Sequence, residues 1–157
     1  MQVKQRITPF LSYSSQAEEA AEFYVSIVSG SQIIRKVLNP ANQAVLTVEF
    51  ELAGMKFIAL NAGQDWKFTE AFSLAIDCDS QEQIDELWNS LVDNGGAELY
   101  CGWLKDRFGM CWQIWPSQLN GWFAANDPVA LQRMFEALWK MKKLDIATLT
   151  SAYDGAG

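Results

Sequence analysis

The chain contains no histidine. Histidine is the commonest general acid or base near neutral pH and the commonest transition-metal ligand, so most hydrolytic triads and most zinc sites are excluded at once. Cysteine is scarce too. Cys78, Cys101 and Cys111 make an odd count without metal-site spacing, which points to reduced thiols in a cytoplasmic protein rather than a disulfide framework. No uncharged apolar run approaches the ~18 to 20 residues that a membrane span requires. The opening residues 1–6 are polar, so no secretory signal is expected. Positive charge is in short supply: 12 Lys and Arg against 19 Asp and Glu give a net charge of −7. That balance argues against the basic stripe that phosphate contacts need, and neither nucleic acid nor a membrane is expected as a partner. The one basic cluster, Lys140, Lys142 and Lys143, is expected in the last turn of a helix, where cations favour the negative end of the helix dipole.

What the chain does have is a repeat. At 157 residues it is long enough for one compact domain and short for two; such a domain buries roughly 70% of the surface its unfolded chain exposes. Within it, a strand from Ile7 to Tyr13 leads into a helix, and residues 31 to 62 offer three strand-like runs. A second strand, Phe72 to Cys78, leads into a second helix, with further strand-like runs from Ala97 to Pro116. Sliding one half along the other by 64 places lays Phe23, Tyr24, Ile27 and Val28 over Leu87, Trp88, Leu91 and Val92. The same helix face is written twice, and a unit that cannot bury its apolar face alone needs a copy or a neighbour.

The helices carry their own punctuation. Ser15 with Glu18 predicts a capping box, and Ser80 with Gln83 predicts another, the second helix closing near Gly95. Asp127 with Pro128 opens a third helix whose Leu131, Met134, Phe135, Leu138 and Trp139 recur at helical spacing. A shorter helical piece runs from Asp145 to about Tyr153. Leu46, Val48, Phe50 and Leu52 alternate with polar residues and Gly54 turns the chain, predicting a hairpin. Asp106 to Gly109 carries turn chemistry between Cys101–Lys105 and Met110–Trp115. The segment from Ala62 to Glu70 joins the halves, and its Trp66 and Phe68 are costly to leave wet.

Several local motifs carry a family resemblance: Ile7-Thr8-Pro9-Phe10, the helix Gln16 to Tyr24, Ala59-Leu60-Asn61-Ala62-Gly63, and above all Cys101-Gly102-Trp103-Leu104-Lys105-Asp106-Arg107-Phe108-Gly109 followed by Trp112-Gln113. Met141 to Ile146 adds a last one. On these the chain resembles the PhnB-like group, which includes proteins labelled 3-demethylubiquinone-9 3-methyltransferase, within the vicinal oxygen chelate superfamily of glyoxalases, bleomycin-resistance proteins and dioxygenases. The resemblance implies an α+β fold of two βαβββ modules with cup-shaped mixed sheets. Module one spans about 5–62, module two about 71–116, and a C-terminal helical extension about 117–154, all in a single domain. It also implies a homodimer, helped by a C-terminal helix that has little left to pack on within the modules.

Members of that superfamily typically hold a divalent metal with one side chain from the first and last strand of each module. Strand parity indicates the corresponding places. Thr8, Phe10 and Ser12 are expected to face the cavity on the first strand, and Ser73, Ala75 and Asp77 on its counterpart. On the closing strands Phe57, Ala59 and Asn61 are read as inward, and likewise Cys111, Gln113 and Trp115. The expected His and Glu set is thereby replaced by Thr8, Asn61, Ser73 and Gln113. Neutral hydroxyls and amides are weak ligands for such metals. The sequence therefore predicts a metal-free, cofactor-free site for a small organic ligand, with Phe10, Phe57, Trp66, Trp103, Cys111 and Trp115 as further lining. Glu49 is a candidate acid or base there, and no catalytic residue is assigned. A divalent-metal glyoxalase-like lyase or dioxygenase, using Glu49 or Asp77, is the alternative. The methyltransferase label ranks third, because no strand runs through a Gly-rich turn into a helix.

Overall fold

Alternating apolar residues build the first sheet of the computed structural model, which describes residues 4–156. The chain divides into two compact units, one ending at Lys67 and the other beginning at Phe68. In the first, β1 (Phe10–Tyr13), β2 (Gln32–Leu38), β3 (Val45–Leu52) and β4 (Met55–Asn61) form a mixed sheet in the order β1-β4-β3-β2, with β1 and β4 parallel. Helix α1 (Ala17–Ile27) covers one face. Leu11, Tyr13, Val48, Phe50, Phe57 and Ala59 are buried on that side, together with Ala20 and Tyr24 of the helix. The opposite face is left open.

The second unit repeats this plan. Here β5 (Ser73–Cys78), β6 (Ala97–Glu98), β7 (Trp103–Lys105) and β8 (Cys111–Pro116) adopt the order β5-β8-β7-β6, again with the first and last strands parallel. Helix α2 (Gln81–Val92) buries Ile84, Trp88 and Leu91 against Leu104, Trp112 and Ile114. The α+β architecture of two βαβββ modules is thus the one the sequence predicts. Trp88 occupies the place that Tyr24 holds in the first unit, as the 64-residue offset anticipates. Gly96 threads so close past the end of α2 that a Cβ there would lie 2.6 Å from Val92 Cα and 2.7 Å from Leu91 O. Only a residue without a side chain fits this crossing.

The two helix starts differ. At α2 the Ser80 hydroxyl accepts from Gln83 N at 3.2 Å, and Gln83 Oε1 accepts from Asp79 N at 2.8 Å, so the expected local cap forms. At α1 the Ser15–Glu18 box does not form. Gln16 is the cap residue without a capping side chain, and Asn61, at the far end of β4, accepts from Ala17 N at 2.8 Å instead.

Beyond β8, three helices follow: α3 (Gln118–Ala125), α4 (Pro128–Leu138) and α5 (Ile146–Asp154). Asp127 caps α4 through Val129 N and Ala130 N, and Asp145 caps α5 through Thr148 N, as expected. Leu119, Met134, Leu138, Leu144 and Leu149 form one buried cluster among them. The apolar face of α4 is therefore covered inside its own unit, which removes the packing argument for a dimer. Trp139, at helical spacing with the core residues of α4, is 56% exposed; it keeps helical dihedrals and stacks on Phe135 at the flank of the buried face. The lysine cluster also lies past that helix end; Lys143 pairs with Asp85 at 2.9 Å and Lys142 sits over the Tyr100 ring. No described helix is long and apolar enough to cross a membrane.

Candidate functional site

Parity within a strand decides which side chains meet on the open face of each sheet. In the second unit, Ser73 lies opposite Cys111, Ala75 opposite Gln113, and Asp77 opposite Trp115, while β7 adds Trp103 beside Gln113 and Lys105 beside Cys111. Three rows result: Ser73, Cys111 and Lys105; then Ala75, Gln113 and Trp103; then Asp77 and Trp115. Gln113 Nε2 donates to Ser73 Oγ at 2.8 Å, tying the first row to the second. Ala75, the smallest of these side chains, is exposed and leaves the surface beside Gln113 low. The inward residues expected of β5 and β8 are all on this face.

An ion pair flanks the first row. Lys105 forms an ion pair with Glu70, which raises the lysine and lowers the carboxyl from their ordinary values. Cys111 is on the face by parity yet 0% exposed. Burial pushes its thiol up while nearby Lys105 pulls it down, and burial wins, so the group is a neutral thiol at pH 7. Cys78, beneath the helix, is pushed up to about 11, chiefly by burial. Neither thiol is a ready nucleophile.

The turn between β7 and β8 is held by a carboxylate that the sequence suggested only as turn chemistry. Asp106 is 3% exposed. Its Oδ1 accepts from Phe108 N at 2.9 Å and Met110 N at 3.0 Å, and its Oδ2 accepts from Trp112 Nε1 at 2.9 Å. This fixes the start of β8 and hence where Gln113 points.

In the first unit the closing strand runs with the other parity from that expected. Phe57 is 3% exposed and Ala59 0%, both under α1. Asn61 is on the helix side as well, its Oδ1 on Ala17 N and its Nδ2 donating to Val45 O at 2.9 Å. None of the three lies on the open face; Lys56, Ile58 and Leu60 do. The equivalence can be read from hydrogen bonds: Ala62 N donates to Tyr13 O just as Ser117 N donates to Cys78 O, each at 2.8 Å. Ile58 therefore stands where Gln113 stands in the other module. Thr8 precedes β1 and is half-buried, and Phe10 is 55% exposed on the open face. Glu49 is on that face as expected, but it accepts from Arg35 at 2.7 Å and pairs with Lys56 at 3.5 Å. The Arg35 guanidinium holds its carboxyl below the usual carboxylate range, which makes Glu49 a weak base. Trp66 is 63% exposed in the connecting segment.

A polar groove of about 390 Å³ opens at the start of α1, lined by Ser14, Ser15, Glu18, Asn39, Asn42 and Asn61 among others. Its asparagines already bind backbone: Asn39 holds Ala41 N and Asn42 holds Ala44 N. They shape the β2–β3 turn.

A family model described as 3-demethylubiquinone-9 3-methyltransferase matches residues 5–115. The chain belongs to this family. A PhnB protein from Bacillus cereus is 31% identical to this 3-demethylubiquinone-9 3-methyltransferase family member over 71% of its length and 99% of the Bacillus chain, with a TM-score of 0.66. A Pseudomonas aeruginosa structure at 17% identity (TM-score 0.58) covers 71% of this chain and 96% of its own. A fosfomycin resistance protein from Listeria monocytogenes, solved with Mn(II) and sulfate, shares 13% identity over 72% of this chain and 92% of its own (TM-score 0.54). At these identities the last two show a shared fold alone. No curated protein matches the chain. A divalent metal held at the equivalent strand positions needs charged or imidazole donors. In this family member those positions carry Thr8 and Ile58 in one unit and Ser73 and Gln113 in the other, none of them charged or an imidazole, and neither pair fits a divalent ion.

Proposed function

We propose that the chain binds a small, uncharged, planar organic molecule on the open face of module two, and that binding rather than turnover is its task. The bond between Gln113 Nε2 and Ser73 Oγ carries this reading. It leaves Gln113 Oε1 as an acceptor and the Ser73 hydroxyl hydrogen as a donor, side by side. Trp103, next to Gln113 across the β7–β8 pair, offers an indole flank for a ring to pack beside. Such a neutral donor and acceptor pair beside an aromatic matches the edge of an amide or a protonated acid attached to a ring. Among the described residues of this face, no imidazole, reactive thiol or unpaired strong base supports proton transfer or nucleophilic attack.

Titration of the ¹⁵N-labelled protein with benzamide tests this. The expected result is a saturable shift of the Gln113 side-chain amide and Trp103 indole N–H signals, weakened at least tenfold by Gln113→Leu. Shifts that are absent, or that survive that substitution unchanged, would sink the proposal. The family's name supplies a competing reading, methyl transfer, and micromolar binding of S-adenosylmethionine in the same titration would favour it. A homodimer is carried over from the family resemblance alone.

A further inference from the structure

The extension after β8 lies outside the span that the family model matches, and it reaches back onto the same open face. Helix α3 places Asn120 and Phe123 three residues apart, hence on one side. Asn120 Nδ2 donates to Asp77 Oδ2 at 2.9 Å, and the Phe123 ring meets the edge of Trp115 at 6.2 Å between centroids and 76° between planes. Asp77 and Trp115 are the third row of the face. Phe123 is itself backed by Phe135 of α4 at 6.0 Å, and Phe135 by Trp139 at 5.8 Å, so the ring is propped from behind. At its near end the strip is flanked by the Lys105–Glu70 pair.

We propose that α3, through Phe123 and Asn120, is the end wall that sets the length of ligand the module-two face admits. The inference rests on the reading of that face as a ligand site and adds to it a size class. Rows on one face are two residues apart, about 7 Å along a strand. With the third row taken up by Trp115 and Phe123, the two rows of Ser73 and Ala75 remain. A single ring lying over Ala75 along the strands, with its amide at Ser73 and Gln113 and Trp103 at its flank, spans them; a fused bicyclic ring continuing in that direction would run into Phe123. The extension thus selects monocyclic ligands.

Comparing benzamide with 2-naphthamide on the full-length protein and on Phe123→Ala, with the Gln113 side-chain amide signal as the readout, tests the wall. In the unsubstituted protein, 2-naphthamide should bind at least tenfold more weakly than benzamide. In Phe123→Ala it should gain at least tenfold while benzamide changes less than twofold. Equal affinity for 2-naphthamide in both proteins would overturn the wall and leave the ligand face standing. No response of Gln113 to either probe in either protein would remove both. A gain that persists when Ala75→Trp is added to Phe123→Ala would place the probe in a loosened core and also overturn the wall. Should Phe123→Ala lose its dispersed spectrum, Phe123→Leu and Asn120→Ala provide the same comparison.

Discussion

Asp106→Ala is expected to lower the unfolding free energy by about 3–5 kcal/mol, the range for removing one partner of a buried charged network. The carboxylate is nearly inaccessible and accepts from two backbone N–H groups and one indole N–H. Alanine would leave Phe108 N, Met110 N and Trp112 Nε1 without it, the last two in buried bonds. Asp106→Asn separates the contributions. An amide keeps one acceptor oxygen but presents an N–H₂ donor to one of the former donors, so a loss of about 1–3 kcal/mol is expected. Urea denaturation followed by circular dichroism measures both, and the alanine variant should melt roughly 10 °C lower. An alanine variant within about 1 kcal/mol of the parent would mean that the hairpin is held by other contacts.

Trp88→Ala should cost a similar amount, about 3–5 kcal/mol, by a different route. Trp88 is 1% exposed at the centre of the α2 face, and its Nε1 donates to Glu98 Oε1 at 2.8 Å. Truncation removes a large apolar surface from the core and leaves a cavity that the surrounding strands fill only in part. Trp88→Phe keeps most of the volume and loses the hydrogen bond, for an expected cost of about 1–2 kcal/mol. If alanine and phenylalanine proved equally destabilising in the same urea series, most of the loss would come from the hydrogen bond to Glu98 rather than from the packing.

The sequence made the duplicated modules legible because the helix faces repeat residue for residue and the second cap, Ser80 with Gln83, lies within one turn. It was misleading on β4 for a definite reason. Met55, Phe57 and Ala59 alternate with Lys56, Ile58 and Leu60, so both faces of that strand are largely apolar and a period of two cannot choose between them. On β8 the choice was clear, since Gln113 breaks the apolar run on one side only. Asn61 was read as a site residue by that same β4 parity, and its capping role went unseen because its partners, Ala17 N and Val45 O, are distant in sequence. The helical extension was read from about 117, but α3 was not separated from it because Gln118–Ala125 contains Gly121 and has no side-chain cap. Trp139 keeps the helical place its spacing suggests but lies with Phe135 at the flank of the buried face, which spacing alone does not distinguish from its centre.

The contrast between the two helix starts is one of dependence. Helix α2 contains the instructions for its own beginning, so its first turn can be organised by neighbours a few residues away. Helix α1 borrows its start from a strand completed more than forty residues later, the same amide group also fastening the entry to β3. The start of helix α1 thus depends on a completed sheet, while that of α2 depends on its own neighbours: two modules of one shape differ in how self-contained their helices are.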